Sequence, residues 1–154
     1  MAKLSAGDQA PPIALPDENG KTTSLAEYVG RRVVVYFYPK DDTPGCTKEA
    51  CQFTDLFASF AGLGVEVLGI SADSAAAHQR FRAKYDLKIT LLTDADHAVM
   101  EAYGAWGEKK NYGKTYMGII RSTFLIGPDG KIERAWYNVR ADGHAQAVFD
   151  ALTA

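Results

Sequence analysis

The sequence predicts an α/β sandwich built on a mixed β-sheet. Two apolar runs, Val33–Tyr38 and Val65–Ile70, are uninterrupted and β-prone, as in central strands covered on both faces. A helix-length stretch separates them, so they are expected as parallel neighbours joined by a crossover helix. A third signal lies near the C-terminal end: Thr123–Ile126, Pro128-Asp-Gly130 and Lys131–Tyr137 read as an antiparallel hairpin.

The remaining elements follow in order. Residues 11–24 read as a small N-terminal hairpin with Asn19-Gly20 as its tight turn. Ser24-Leu-Ala-Glu27 is a capping-box pattern opening a short helix. A helix is expected from Pro44 to about Gly62, and another from a cap at Asp73 or Ser74 to about Tyr85. Leu91-Leu92 is a short strand. Asp94 is the expected cap of a short helix ending near Tyr103, and Asp142 that of the last helix. Residues 105–118, with three glycines, three lysines, Trp106, Tyr112, Tyr116 and Met117, read as a long loop. Such a loop is either functional or a cover for the core edge. His78, His97 and His144 read as helix-surface or cap residues.

The chain has 154 residues, which suits one domain, 1–154, with a full core. Its net charge of -2 leaves no footprint for nucleic acid or an anionic membrane. No apolar run reaches transmembrane length, and Met1–Asp8 holds no signal-peptide core. The expected location is therefore the cytoplasm, where two cysteines do not make a permanent staple.

Both cysteines lie together, in Pro39-Lys-Asp-Asp-Thr43-Pro-Gly-Cys46 and five residues on at Cys51. Thr43 suits an N-cap and Pro44 the first helical position, which puts Cys46 inside the first turn. Free N–H groups and the helix dipole there favour a thiolate, the nucleophilic form of cysteine. Asp41 and Asp42 oppose it, so a nearby cation is required. Arg121, just before a strand, is the expected one.

Cys46, Ala50, Phe53, Phe57 and Phe60 form one inward stripe, so Cys46 faces the protein body at a pocket mouth. Cys51 lies about 140° round the helix, at a Cα separation of about 8–9 Å. A disulfide needs less than about 7 Å, so the thiols can bond only if the first turns unwind. Metal binding lacks a second ligand pair and suitably spaced histidines. Inert buried thiols, a thiol–disulfide oxidoreductase and a redox-sensing or holdase protein remain alternatives. A C-x₄-C spacing, however, is not the C-x-x-C of the oxidoreductase class.

The Pro39…Thr43…Cys46 motif, with Cys51, Gly113-Lys-Thr-Tyr116 and Arg121-Ser-Thr-Phe-Leu-Ile126, resembles the peroxiredoxins. The subgroup resembled is that of the bacterioferritin comigratory protein, or peroxiredoxin Q. The likeness spans nearly the whole chain. It implies a thioredoxin-like sandwich with an N-terminal hairpin extension and a peroxidase without cofactor or metal. Cys46 would be the peroxidatic and Cys51 the resolving residue, joined in an intramolecular disulfide. Thr43, Arg121 and the N–H groups of Gly45 and Cys46 would hold the peroxide, and Pro39 would shield the sulfur. The implied partners are peroxides and a thioredoxin- or glutaredoxin-type dithiol. With no cysteine in the C-terminal region, a monomer is expected, or at most a weak dimer.

Overall fold

The computed structural model describes residues 3–153. The chain opens with β1 (Ala14–Pro16), β2 (Thr22–Ser24) and a 3-10 turn at Leu25–Tyr28, followed by β3 (Val33–Phe37). Next come α1 (Pro44–Asp55), α2 (Phe57–Gly62), β4 (Glu66–Ser71), α3 (Ala75–Tyr85), β5 (Thr90–Thr93) and α4 (Ala98–Ala102). The last elements are β6 (Trp106–Asn111), β7 (Lys114–Ile119), β8 (Ser122–Ile126), β9 (Ile132–Trp136) and α5 (His144–Thr153).

A five-stranded sheet in the order β5-β4-β3-β8-β9 forms the centre. β3 and β4 are parallel, as are β4 and β5, whereas β8 runs antiparallel to both β3 and β9. The sheet is mixed, as the sequence predicts. β3 is buried throughout, and its alternate residues serve two cores. Val34 and Tyr36 face α1, α3 and α5, with Phe53, Phe81 and Val148. Val33, Val35 and Phe37 face the N-terminal hairpin and α4, with Ile13, Leu15 and Met100. This alternation is the strand period of two acting on an apolar run.

Several expectations need correction. The helix predicted over 44–62 breaks at Leu56, where the backbone leaves helical geometry and α2 begins. Residues 105–118 are no loop: β6 and β7 pair antiparallel from Trp106–Ile119 to Asn111–Lys114. Their two-residue turn, Tyr112-Gly113, has φ of 51° and 78°, the positive pair of a hairpin turn. Tyrosine rarely accepts such a φ, so the turn carries no sequence signal. The N-terminal hairpin exists, but Asn19-Gly20 is not a two-residue turn. Asp17 organises a longer loop, its carboxylate accepting from the N–H groups of Asn19 and Lys21.

Among the caps, Ser74 is the one used at α3, accepting from Ala77 N–H. Asp94 accepts from the N–H groups of Val99 and Met100 although the N-cap position itself is His97. Asp142 does not cap α5; its carboxylate accepts from Gln52 Nε2 at 2.8 Å. His78 and His144 are buried, not on the surface. His97, also at a cap, stacks on Trp106.

Gly69 stands opposite Tyr36 in the β3–β4 register. A Cβ there would lie 2.9 Å from the Tyr36 ring, which is fully enclosed and stacked on Phe53. Gly69→Ala is therefore expected to destabilise the fold by about 1–3 kcal/mol through overpacking. Urea unfolding of the variant measures it; unchanged stability would show that the ring can move aside.

Candidate active site

The loop after β3 carries Pro39 to Thr43 and delivers Cys46 to the third position of α1. Its aspartates are tied down on both sides. Asp41 is buried and accepts from Tyr38 Oη at 2.6 Å, while His78 Nδ1 lies 2.6 Å from its second oxygen. His78 Nε2 in turn meets the Leu92 carbonyl at 3.1 Å. The Asp41 N–H donates to Asp73, which also accepts from Ser71 Oγ. Asp42 accepts from Lys84 Nζ and Tyr85 Oη, which together hold its carboxyl below the usual range. The two anions expected to oppose a thiolate at Cys46 are thus engaged by α3 and by Tyr38.

Thr43 occupies the N-cap position with an extended backbone, but its side chain does not cap the helix. Its hydroxyl donates instead to the Lys40 carbonyl at 2.8 Å. The first intrahelical bond runs from Thr47 N–H to Thr43 O. The N–H groups of Gly45 and Cys46 precede it, and the cap expected from Thr43 does not occupy them.

Cys46 is 2% exposed. Arg121 Nη2 donates to its sulfur at 3.4 Å. Arg121 Nη1 donates to Glu49 Oε1 at 2.6 Å. One guanidinium thus joins the sulfur to a carboxylate one helical turn further on. Gly45 makes room for it: a Cβ there would stand 3.1 Å from Arg121 Nη2. Pro39 and Arg121 line one cavity of about 490 Å³ beside this cluster. Cys51 is half-buried on the same intact helix, and both cysteines are free thiols. Burial, then the charge of Asp55, push the Cys51 thiol up.

Cys46, Thr43, Gly45, Arg121 and Pro39 therefore come together, while Cys51 lies apart. Sequence reasoning missed Glu49. Its signal was visible: a glutamate at Cys46 + 3, beside Ala50 on an otherwise apolar stripe. Glu49 is fully buried and its Oε2 has no partner among the described residues. Burial pushes its carboxyl from an ordinary 4.5 up to about 7, although Arg121 pulls it the other way. Nearby, His144 Nε2 meets Thr123 Oγ1 at 2.8 Å. Burial, then the Arg121 charge, push this imidazole from 6.5 down to about 4. No group of His, Cys, Asp and Glu among the described residues could hold a metal.

The model of the AhpC/TSA family matches residues 6–135. The chain belongs to that family. It is 49% identical over 149 residues to a putative peroxiredoxin of Coxiella burnetii, covering 97% of this chain and 99% of that one. It is 47% identical over 152 residues to peroxiredoxin Bcp of Escherichia coli K12, covering 99% and 97%. Of the solved structures, the bacterioferritin comigratory protein of Xanthomonas campestris aligns with a TM-score of 0.88 at 40% identity, over 96% of this chain and 97% of that one. Its trapped intermediate and ligand complex structures bear on that protein's alkyl peroxide reduction activity. A cysteine-to-serine mutant of PrxQ from Xylella fastidiosa aligns with a TM-score of 0.90 at 35% identity, over 99% and 98%. The expected thioredoxin-like sandwich is thus the fold that this peroxiredoxin has.

Glu49 and His144 tilt the pH dependence of folding in opposite senses. Between pH 4.5 and 7 Glu49 binds more proton folded than unfolded, so its contribution to stability falls as pH rises. Between pH 6.5 and 4 His144 binds less proton folded than unfolded, so its contribution falls as pH falls. Glu49→Gln is expected to leave stability rising more steeply with pH across this window. His144→Gln should make it rise less or fall. Urea midpoints at several pH values check both; profiles parallel to the wild type would contradict them.

Proposed function

We propose that this peroxiredoxin is a thiol-dependent peroxidase in which Cys46 is the nucleophile and Cys51 resolves it intramolecularly. The observation that carries this reading is the Arg121 guanidinium on the Cys46 sulfur, at the start of a helix whose first N–H groups are left open. A neighbouring cation and open helix N–H groups are the surroundings in which cysteines act as nucleophiles. The thiolate attacks one peroxide oxygen in line, and the O–O bond breaks. The departing oxygen takes a proton and leaves as water or an alcohol, and Cys46 becomes a sulfenic acid. Arg121 and the N–H groups of Gly45 and Cys46 face the charge that shifts between the oxygens. Thr43, whose hydroxyl proton is spent on Lys40, keeps its lone pairs for the peroxide O–H. Pro39 covers the approach.

Resolution requires α1 to unwind, because an intact helix separates the two thiols too far for a bond. The structure's own seams support a bounded unwinding. Upstream, Asp41 is fastened to His78 and Tyr38; downstream, the helix already breaks at Leu56. The clasp between them is exposed: Gln52 bonds Asp142 and the Gly143 N–H. The Cys51 thiol then displaces water from the sulfenic acid, forming the disulfide. A dithiol of the thioredoxin or glutaredoxin type reduces it, two electrons restoring both thiols. No described helix is long and apolar enough to cross a membrane. A reducing cytoplasm suits a cycle that starts from two free thiols, and a chain that resolves within itself works as a monomer.

Cys46→Ser is expected to abolish peroxide consumption. Cys51→Ser should give one rapid turnover and then stall with a sulfenic acid that dimedone captures. Mass spectrometry of peroxide-treated wild type should find a Cys46–Cys51 link. Normal turnover by Cys46→Ser would end the assignment, and two free thiols after peroxide treatment would end the resolving step.

A further inference from the structure

The β6–β7 hairpin brings to the site a lysine that the chemistry above leaves unused. The Lys109 ammonium donates to the Ile119 carbonyl at 2.9 Å. Its stem crosses β7 at Gly118, where a Cβ would stand 3.0 Å from Lys109 Cδ. So placed, Lys109 lines the cavity of about 490 Å³ that also receives Arg121 and Pro39. Lys3 and Lys110 line it too, and Glu108 is the one acidic residue in its wall. With Arg121 paired to the buried Glu49, three lysines against one carboxylate leave this vestibule net positive, and Arg121, which also lines it, touches the Cys46 sulfur.

The cations differ in what satisfies them. Arg121 is paired with Glu49, and elsewhere Lys48, Lys84 and Lys88 each have a carboxylate within 4 Å. Among the described residues Lys109 has none. Of its three N–H donors, one is used on Ile119. Burial, then the charge of Arg121, push its amine down. A partly desolvated cation beside another cation is costly, and an arriving anion offsets that cost. The larger cavity, about 560 Å³ and apolar, lies by Val33 and Ile126. Those residues begin β3 and end β8, at the far end of the sheet from Cys46, so it cannot take the tail of a peroxide held at the sulfur.

We propose that the vestibule is a subsite for the carboxylate of an anionic hydroperoxide, with Lys109 as the residue that selects it. This rests on the peroxidase reading of Cys46 and adds the substrate's charge to it. The peroxide group lies at Cys46 while the carboxylate end extends past Arg121 to Lys109. A neutral hydroperoxide of the same size makes only the first of these contacts.

The test compares cumene hydroperoxide with its para-carboxylate, as the ratio of their kcat/KM values. The ratio does not depend on the fraction of active enzyme. Wild type should favour the carboxylate, less so as salt rises. Lys109→Met should lower the ratio by about fivefold, chiefly through KM of the carboxylate. Lys109→Arg should restore it, and Lys114→Met, on the same hairpin outside the cavity, should keep the wild-type value. A Lys109→Met ratio equal to that of wild type overturns the subsite. So does a wild type that reduces the neutral compound well and shows no preference for charge. A wild type that reduces neither, with Cys46 still a thiol, removes the peroxidase reading and the subsite with it.

Discussion

The site depends on one guanidinium held between a buried sulfur and a buried carboxylate. Arg121 reaches Cys46 at 3.4 Å and Glu49 at 2.6 Å, and the side chains of both partners are almost wholly out of water. One arm of the fork donates to Glu49 and the other to the sulfur, so the carboxylate and the thiol share one cation. The arrangement is held against a solvation cost, which shows in the Glu49 carboxyl being pushed up to about 7. Gly45 contributes by lacking a side chain where the guanidinium passes.

Around this centre, the neighbouring charges are fastened away. Asp41 and Asp42 precede the helix by only a few residues, yet neither is free. The buried lock of Asp41 with Tyr38 and His78 sits beneath the loop, and Asp42 is held by Lys84 and Tyr85 outside it. The loop is thus anchored where it leaves the sheet, and the helix it opens is interrupted at Leu56. The unwinding proposed for the resolving step would be bounded by these two fixed ends. The β6–β7 hairpin forms the other wall of the site. It carries Lys109 over Gly118 into the wall of the cavity that Arg121 also lines.

Much of the fold was legible because its signals are local. Val33–Tyr38 and Val65–Ile70 announce buried strands by being apolar and β-prone without interruption. The approach Thr43-Pro-Gly to Cys46 announces a helix start. Where a signal was missing or ambiguous, the reading failed. Tyr112-Gly113 makes a hairpin turn with a tyrosine at positive φ, so β6 and β7 passed for a loop. Asp142 looked like a cap but bonds Gln52, on a different helix. His78 and His144 read as helix-surface or cap residues, because nothing near them in sequence tells that Asp41 and Thr123 wait for them.

The amino-acid order alone determined the central strands with their crossover helices and the place of Cys46 in a first turn, with Cys51 out of its reach. Periodicity and helix geometry act over a few residues, so they can be read directly. Tertiary structure decided what surrounds the sulfur. Glu49 and Arg121 are 72 residues apart in the chain, and Asp41 and His78 are 37 apart. Hydrogen bonds and desolvation act over a few ångströms, and only the folded sheet brings such residues within that range.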